Sequence, residues 1–286
     1  MIDSSSDSSP DSTAAVVDGI NPRKPAKRIL AHEIAEGLGE IQRSNLGLFL
    51  AGLAAGLEIG FSPFLIAIMI TLTQDELPHA VVELLVANVY TIGYIFVIIG
   101  QSELFTEHTT LATLPVLHGR ATVASLLRLW AIVYCANLLG GAIFALLAAT
   151  IGPELEIIDV SVLGDIAHGV VARRWWVILL SAVLTGWLMG LLSWLVAAGR
   201  DTTSQIIMIW LVTAAIGLGH LHHVIVGSIE VMLALFAGLP IEPVEVGRFL
   251  LWATLGNILG GVVFVAVIKY GHAIHKEDAP EVLLNT

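Results

Sequence analysis

The sequence predicts an all-α polytopic membrane protein whose six transmembrane helices form a 3+3 inverted repeat. The first observation is composition: of 286 residues, 56% are hydrophobic and only 13% are charged, and the mean hydropathy is +0.87. Soluble domains carry roughly a quarter charged residues. The second observation is a series of long apolar runs after residue 45, and the third is a motif that recurs 120 residues apart. The single cysteine, Cys135, lies inside an apolar run and excludes an intrachain disulfide.

The ends of the chain are polar, and we expect them to lie outside the membrane. Residues 1–28 are Ser- and Asp-rich and then basic, which predicts a disordered cytoplasmic tail rather than a signal peptide. Within 29–44, apolar residues recur at helical spacing, so we expect an amphipathic helix, either at the membrane surface or packed under the bundle. Residues 45–272 form the predicted transmembrane domain, and 273–286 form a cytoplasmic C-terminal tail.

Six apolar runs reach the length of about 20 residues that a membrane-spanning helix needs. The predicted spans 1 to 6 are 45–72, 82–102, 125–150, 175–197, 204–237 and 247–270. The fifth run is too long for one straight helix and holds GLGHLHH at its centre, which predicts two half-helices that meet at an irregular segment. The second run is followed by a comparable polar insert at 100–110.

The basic residues predict the orientation. With both termini cytoplasmic, ten of the 13 Lys and Arg residues fall on the cytoplasmic side, and Arg173, Arg174 and Arg248 fall on the other. The connections on that other side are acidic, as in TQDELP and GPELEIID. We therefore expect a multi-pass protein of the cell (inner) membrane with its N- and C-termini inside.

An internal repeat relates the two halves. NLLGGAIFALLA begins at Asn137 in span 3 and NILGGVVFVAVI begins at Asn257 in span 6, so Gly141 corresponds to Gly261. The same offset of 120 residues carries the polar insert 103–110 onto 223–230. Since each half has three spans, the halves must be inverted, and paired broken helices are typical of transport proteins. The Asn-x-x-Gly-Gly motif also serves close helix packing, which is the alternative explanation.

Five motifs together resemble the formate/nitrite transporter (FNT) family. They are GQSELFTEHTTLATLPVL, WAIVYCANLLGGAIFA, GRDTTSQIIMIWLV, HHVIVGSIE and LWATLGNILGG, in the family's order over residues 29–270. LFTEHT and HVIVGSIE look closer to the family's divergent YfdC-like branch than to the well-studied formate channels. The resemblance implies a homopentamer with an aquaporin-like fold and a pore in each protomer. It implies no cofactor, no resident metal and no nucleic-acid partner; the expected partners are the lipid bilayer and a small solute.

The resemblance also implies roles for residues at the two breaks. In ELFT, Leu104 matches an apolar constriction residue, and Thr106 matches a threonine that faces the pore. Phe105, between them, is also expected at the pore. Aligning HVIVG makes His223 the central pore histidine, with Gly227 where the family has asparagine. Aligning the preceding Gly-x-x-His instead selects His220. A slip of three residues would keep both histidines on one face of a helix.

Other pore positions depart from the family pattern. Tyr90 and Tyr94 stand where formate-type members have apolar residues, which predicts a more polar constriction. Val170 falls near the family's anion-attracting lysine; Arg173 or Arg174 could replace it, although ordinary flanking charges are the simpler interpretation. Glu103 occupies a position where the family allows an acid.

The chemistry of such a site favours a weak acid. Ionisable groups at mid-membrane usually face a cavity, and histidine is the side chain that titrates near neutral pH. The N-termini of two half-helices favour an anion between them. A weak-acid anion could then take a proton at the centre and cross the flanking apolar residues as the neutral acid. The resemblance implies this mechanism for a channel or transporter of small monovalent weak-acid anions of the formate or nitrite type. Two additional carboxylates, Glu107 and Glu230, would repel anions unless protonated or paired with His108 or His223, so a neutral or cationic solute is the alternative.

A membrane-embedded metalloenzyme is the alternative from another class. His220, His222 and His223, with His108 and Glu107, are residue types that bind zinc or iron. No HExxH motif, histidine-box array or GxSxG motif is present in the sequence. We expect no enzyme activity and no metal site, and for His222 we expect a structural role.

Overall fold

The structure is a computed structural model that describes residues 24–275, and all regular structure in that range is helical. The predicted C-terminal tail after residue 275, and the part of the predicted N-terminal tail before residue 24, lie outside the described residues. Five helical stretches are long and apolar enough to cross a membrane, by length and composition. The remaining predicted span, number 5, is divided between two shorter helices.

The first half begins with an amphipathic helix and continues through three spans. Its helices are α1 (Ala26–Gln42), α2 (Asn45–Ile59), α3 (Phe61–Thr73), α4 (His79–Ile99), α5 (Phe105–Leu111), α6 (Thr113–Leu117) and α7 (Val123–Glu154). Helices α2 and α3 form span 1 with a joint at Gly60, three residues before Pro63, whose ring nitrogen cannot donate a helical hydrogen bond. Ser44 caps α2 and a Thr122–Ser125 capping box starts α7.

The second half repeats this order. Its elements are α8 (Val160–Val171), α9 (Trp175–Ala198), α10 (Thr202–Leu218), α11 (Val224–Phe236), α12 (Pro243–Leu259), a π-helical segment (Gly260–Val267) and α13 (Ile268–His275). Helix α8 was not predicted, because its 12 residues are too few to span the membrane and the segment reads as an acidic connection. Its N-cap is Asp159, whose carboxylate accepts a hydrogen bond of 2.8 Å from the Ser161 N–H group.

Glycines bring the spans of each half into backbone contact. A methyl group at Gly56 of span 1 would overlap the Asn137 carbonyl of span 3, and one at Gly186 of span 4 would overlap the Asn257 carbonyl of span 6. The second glycine of each Asn-x-x-Gly-Gly motif packs across the halves instead. Gly141 lies against Ile229 of α11, and Gly261 lies against the Thr109 hydroxyl of α5.

Candidate functional site

The chain turns back in the same way at both breaks. Gln101 and His220, 119 residues apart, adopt left-handed backbone conformations with φ of 58° and 46°. The next N–H group donates to the carbonyl five residues earlier in both turns: Ser102 to Val97 at 3.0 Å and Leu221 to Ile216 at 3.1 Å. Each turn returns the chain to the start of a half-helix, α5 or α11, which is the arrangement expected of repeat-related breaks.

The offset at the breaks is 119 residues, which corrects the expectation of 120. Leu104 and His223 are the corresponding N-terminal caps of α5 and α11, so His223 is related to Leu104 and not to Glu103. The expectation failed because the second half has one more residue between the start of the half-helix and the asparagine that supports it. From Phe105 the chain reaches Asn137 in 32 positions, and from Val224 it reaches Asn257 in 33.

One buried asparagine holds the start of each half-helix. Asn137 Oδ1 accepts from the Phe105 N–H group at 2.8 Å, and its amide donates to the carbonyls of Gly52 and Glu103, both at 2.8 Å. Asn257 Oδ1 accepts from the Val224 N–H group at 2.9 Å. Its amide donates to the carbonyls of Ala182 and His222, at 2.8 and 3.0 Å. Each asparagine therefore satisfies one N–H group and one carbonyl that the break leaves without helical partners, and its third bond, to Gly52 or Ala182, ties the break to span 1 or span 4.

His223 and Thr106 join the two half-helices. His223 Nε2 lies 2.7 Å from Thr106 Oγ1, and both side chains are buried. His223 Nδ1 accepts a hydrogen bond of 3.2 Å from the Val226 N–H group. Because Nδ1 accepts, the proton of the neutral ring lies on Nε2 and is donated to Thr106. Both ring nitrogens are thus occupied by protein groups.

The neighbours of this bond are aromatic and apolar. The Tyr94 ring meets His223 edge-on, with 5.5 Å between ring centroids and 90° between planes. Its hydroxyl lies 2.8 Å from that of Tyr90. Leu104 is fully buried, and Phe105 packs against Tyr134 of α7 at 4.9 Å between centroids. Leu104 and Phe105 lie in the core and line neither of the two cavities described next.

A far cavity of about 430 Å³ opens on the side of the molecule opposite to α1. Residues at the end of span 1 and the start of span 2 line its mouth, and Tyr90, His223, Gly227 and Glu230 line its inner part. Gly227 is required by packing, since a methyl group there would lie 2.6 Å from the Phe249 ring. Of the two arginines considered as replacements for the family lysine, Arg173 lines this cavity and Arg174 does not.

A near cavity of about 510 Å³ opens on the side of α1. Its carboxylates come from α1 and from the first break: Glu33, Glu36, Glu40, Glu103 and Glu107. Glu103 bonds both His108 Nε2 and Arg43, the latter at 2.9 Å. Glu107 has no hydrogen-bond partner within residues 24–275, and the same holds for Glu230 in the far cavity. The two cavities share no lining residue, and the His223–Thr106 bond lies between them.

The side chains of His220, His222 and His223 contact different residues. His220 is exposed, and its Nε2 lies 2.7 Å from Glu83 Oε2 at the far cavity. His222 contacts Ser181 at 2.9 Å and the Val170 carbonyl at 3.2 Å. The expectation that His220 and His223 share a helical face is wrong, because residues 219–223 are not helical. In the described part of the chain, no three His, Cys, Asp or Glu residues are grouped to hold a metal ion.

Sequence reasoning missed Glu33. Its carboxylate is buried and accepts hydrogen bonds of 3.0 and 2.8 Å from Ser193 of α9. Burial raises the pKa of Glu33 to about 8, against the opposing effect of the Ser193 hydrogen bond. The available signal was its position, since Glu33 lies on the buried stripe of α1 with Leu30, Ile34 and Gly37.

The sequence is similar to a known family of membrane proteins over most of its length. The family model described as "Formate/nitrite transporter" matches residues 27–271. The chain belongs to the formate/nitrite transporter family. It is 31% identical over 256 residues to inner membrane protein YfdC of Escherichia coli (strain K12), which covers 87% of this chain and 79% of that protein. It is 30% identical over 241 residues to nitrite transporter NirC of Salmonella typhimurium, covering 82% and 86%.

Solved structures of the family have the same fold. A structure described as an FNT family ion channel superposes with a TM-score of 0.77 at 25% identity, covering 85% of this chain and 98% of that one. A pentameric formate channel with formate bound superposes with a TM-score of 0.68 at 22% identity, covering 80% and 98%. The chain is therefore an integral membrane protein with the FNT fold, and the match to YfdC agrees with the predicted branch.

Proposed function

We propose that this protein conducts small monovalent weak acids of the formate or nitrite type through a pore in each protomer, with His223 at its centre. The observation that carries the proposal is the His223–Thr106 bond of 2.7 Å, made by one residue from each half and lying between the near and far cavities. Buried ionisable residues between two cavities in a membrane protein mark a solute pathway.

The chemistry follows from the two half-helices and the histidine. The N-termini of α5 and α11 both begin beside this bond, so their partial positive charge favours an anion there. Protonation of His223 at Nδ1 replaces the hydrogen bond from Val226 and gives a cation next to the incoming anion. The anion then takes the proton and crosses the apolar surroundings of Leu104 as the neutral acid.

A second candidate is a neutral or cationic solute, and the acidity of the cavities favours it. The near cavity is lined by five glutamates against one arginine, and the far cavity contains Glu83, Asp165 and Glu230 against Arg173. Such a surface concentrates cations and repels free anions. Within the first candidate, the same acidity means that net flux is accompanied by a proton.

The assembly and the orientation are proposals of the same kind. We propose a homopentamer, because the solved formate channel is described as pentameric. The membrane-spanning helices of this chain also leave large apolar residues exposed, which neighbouring protomers would cover in part. We place both termini in the cytoplasm, because ten of the 13 Lys and Arg residues then follow the positive-inside rule.

A solute panel in proteoliposomes tests the function. Formate, nitrite, urea and methylammonium are compared by stopped-flow swelling with and without a proton gradient. We expect the two weak acids to pass and their flux to rise with an inward proton gradient. Passage of urea or methylammonium alone would replace the first candidate by the second.

The central histidine is tested with a pair of variants. We expect His223→Gln to abolish the dependence of formate flux on pH between 5 and 8 and to leave the oligomer intact on size-exclusion chromatography. His220→Gln, at the exposed position beside Glu83, is the matched control and retains that dependence. The opposite result would move the central role to His220.

A further inference from the structure

A pair of tyrosines lies on the far side of His223. Tyr90 and Tyr94 are one turn apart on α4, both are buried, and their hydroxyl oxygens are 2.8 Å apart. Tyr94 packs edge-on against the His223 ring, and Tyr90 reaches the far cavity. A solute that enters from the far cavity therefore meets the Tyr90 phenol, and Tyr94 lies behind it against the histidine.

One of the two phenol hydrogens is not used in a hydrogen bond within the described residues. His223 uses both ring nitrogens, one with Thr106 and one with Val226. The two phenols have two hydrogens, and their mutual bond uses one of them. Within residues 24–275 the other hydrogen has no acceptor. In this arrangement the phenol pair, and not the imidazole, is the donor available to a solute.

Glu230 supplies the complementary group. It lies on α11 and lines the same cavity as Tyr90 and His223. Its carboxyl group has no hydrogen-bond donor in the described part of the chain. A phenol hydrogen on α4 and a cavity-lining carboxylate on α11, neither of them bonded within the described residues, offer a donor and an acceptor to a molecule that enters the far cavity.

We propose that Tyr90, Tyr94 and Glu230 form a solute-binding subsite for small neutral oxyacids, which carry both an acceptor oxygen and an O–H group. The acceptor oxygen receives the free phenol hydrogen and the O–H group donates to Glu230. Glu230 disfavours a free anion, so the subsite binds the solute in the neutral form that proton transfer from His223 produces. A weak acid that forms poor hydrogen bonds gains nothing from the phenols. This inference rests on the proposed weak-acid function and specifies its substrate class.

The test is a selectivity ratio in proteoliposomes at fixed pH. Formate, the base of formic acid, is the oxyacid probe. Hydrosulfide is the comparison, because its acid, hydrogen sulfide, is a small weak acid that forms weaker hydrogen bonds. We expect Tyr90→Phe and Tyr94→Phe to lower formate flux about three- to tenfold, which is the effect of one lost hydrogen bond, and to change hydrosulfide flux less than about twofold. Glu230→Leu lowers the same ratio, whereas Glu230→Gln retains an acceptor oxygen and preserves it.

Tyr134→Phe is the matched control. It also removes a phenol that bonds a hydroxyl, that of Thr254 at 3.0 Å, but Tyr134 lines neither cavity. We expect its formate-to-hydrosulfide ratio to equal that of the wild type. If Tyr90→Phe and Tyr94→Phe change both fluxes equally, or neither, the subsite is wrong while weak-acid transport stands. If the wild type passes no weak acid, the proposed function and the subsite fail together.

Discussion

Residues 96–105 and 215–224 form the two breaks with the same backbone but different side chains. The left-handed residue, the returning turn and the supporting asparagine occur in both. At corresponding positions, however, the first break has Leu104 and the second has His223. Two residues further along, Thr106 of the first half corresponds to Ile225 of the second.

The difference shows how an inverted repeat forms an asymmetric site. The duplicated part is the scaffold, which brings two half-helix N-termini together. The polar side chains at the centre are divided between the halves. The histidine belongs to one half, and the hydroxyl that accepts its hydrogen bond belongs to the other. A fully symmetric pair of breaks would place two histidines or two leucines together.

A second contrast involves the helices that precede spans 1 and 4. Gly56 and Gly186 are 130 residues apart, and at that spacing α8 is the repeat partner of α1. Glu33 then corresponds to Leu163, and both are buried. The first half has a carboxyl group where the second has a leucine, which makes the near side of the molecule sensitive to pH at this position.

The largest expected effect tests whether the scaffold is truly duplicated. Asn137→Ala and Asn257→Ala each leave two backbone groups at a break without a partner, at a cost of about 1–3 kcal/mol per group; these are the Phe105 N–H and Glu103 carbonyl, and the Val224 N–H and His222 carbonyl. We expect both variants to lose the assembled protein or to unfold far below the wild-type temperature, and to similar extents. Thermal unfolding in detergent measures this.

Asn88→Ala is the control for the asparagine pair. Asn88 also makes two hydrogen bonds, to Leu84 and Trp210, but it is exposed on α4. We expect a shift of the unfolding temperature much smaller than for either buried asparagine. A large loss for Asn257→Ala beside a negligible one for Asn137→Ala would show that only one break depends on this support.

The next effect tests the contrast between Glu33 and Leu163. The pKa of Glu33 is raised by burial from 4.5 to about 8. Below pH 4.5 the carboxyl is neutral in the folded and unfolded states. As pH rises from 4.5 to 8, the unfolded state releases its proton first, so stability falls, and it levels off above 8. Between pH 6 and 8 the loss amounts to about 2–3 kcal/mol.

We expect Glu33→Gln to remove this part of the pH dependence, as measured by hydrogen exchange of α1 at pH 6 and 8. Glu36→Gln, on the exposed face of the same helix, is the control and should leave the dependence in place. If the protection factors of α1, corrected for the intrinsic exchange rate, are equal at both pH values in the wild type, the buried carboxyl does not weaken its packing.

Local patterns in the sequence were sufficient to predict the membrane spans and the two breaks. Apolar run length located the spans, and the repeat of Asn137 and Asn257 located the two breaks. The register at the breaks could not be read, because one extra residue in the second half shifts every correspondence by one. The separation of His220 from His223 depends on a left-handed residue in a non-helical turn, which helical spacing cannot represent.

The lining of the two cavities was also beyond the sequence. Glu33 of α1 meets Ser193 of α9 across 160 positions, and Tyr94 meets His223 across the repeat interface. Such contacts depend on the packing of whole helices. Helix α8 was missed for a different reason, since 12 residues between acidic turns do not resemble a span.

A third effect, on flux, tests the divided site. Thr106→Val places an apolar β-branched residue at this position, and the corresponding residue of the second half, Ile225, is also apolar and β-branched. The substitution removes the hydroxyl that accepts the hydrogen bond from His223. We expect formate flux to change by about tenfold with the oligomer retained. Thr213→Val is the control, because that hydroxyl bonds only its own helix, at Ile209. Loss of folding in Thr106→Val alone would assign the threonine a structural role.

The smallest effect concerns the left-handed residues, where the two breaks are most alike. A non-glycine residue in this conformation costs about 1–2 kcal/mol. Replacement by glycine removes this strain, but part of the gain is lost because glycine has more conformational entropy in the unfolded state. Gln101→Gly should therefore raise the unfolding temperature slightly. His220→Gly gains the same relief but loses the contact of His220 with Glu83, an exposed pair that contributes at most about 1 kcal/mol. We expect Gln101→Gly to be the more stable of the two. Equal gains would mean that the His220–Glu83 contact adds nothing to stability and that the two turns are energetically equivalent.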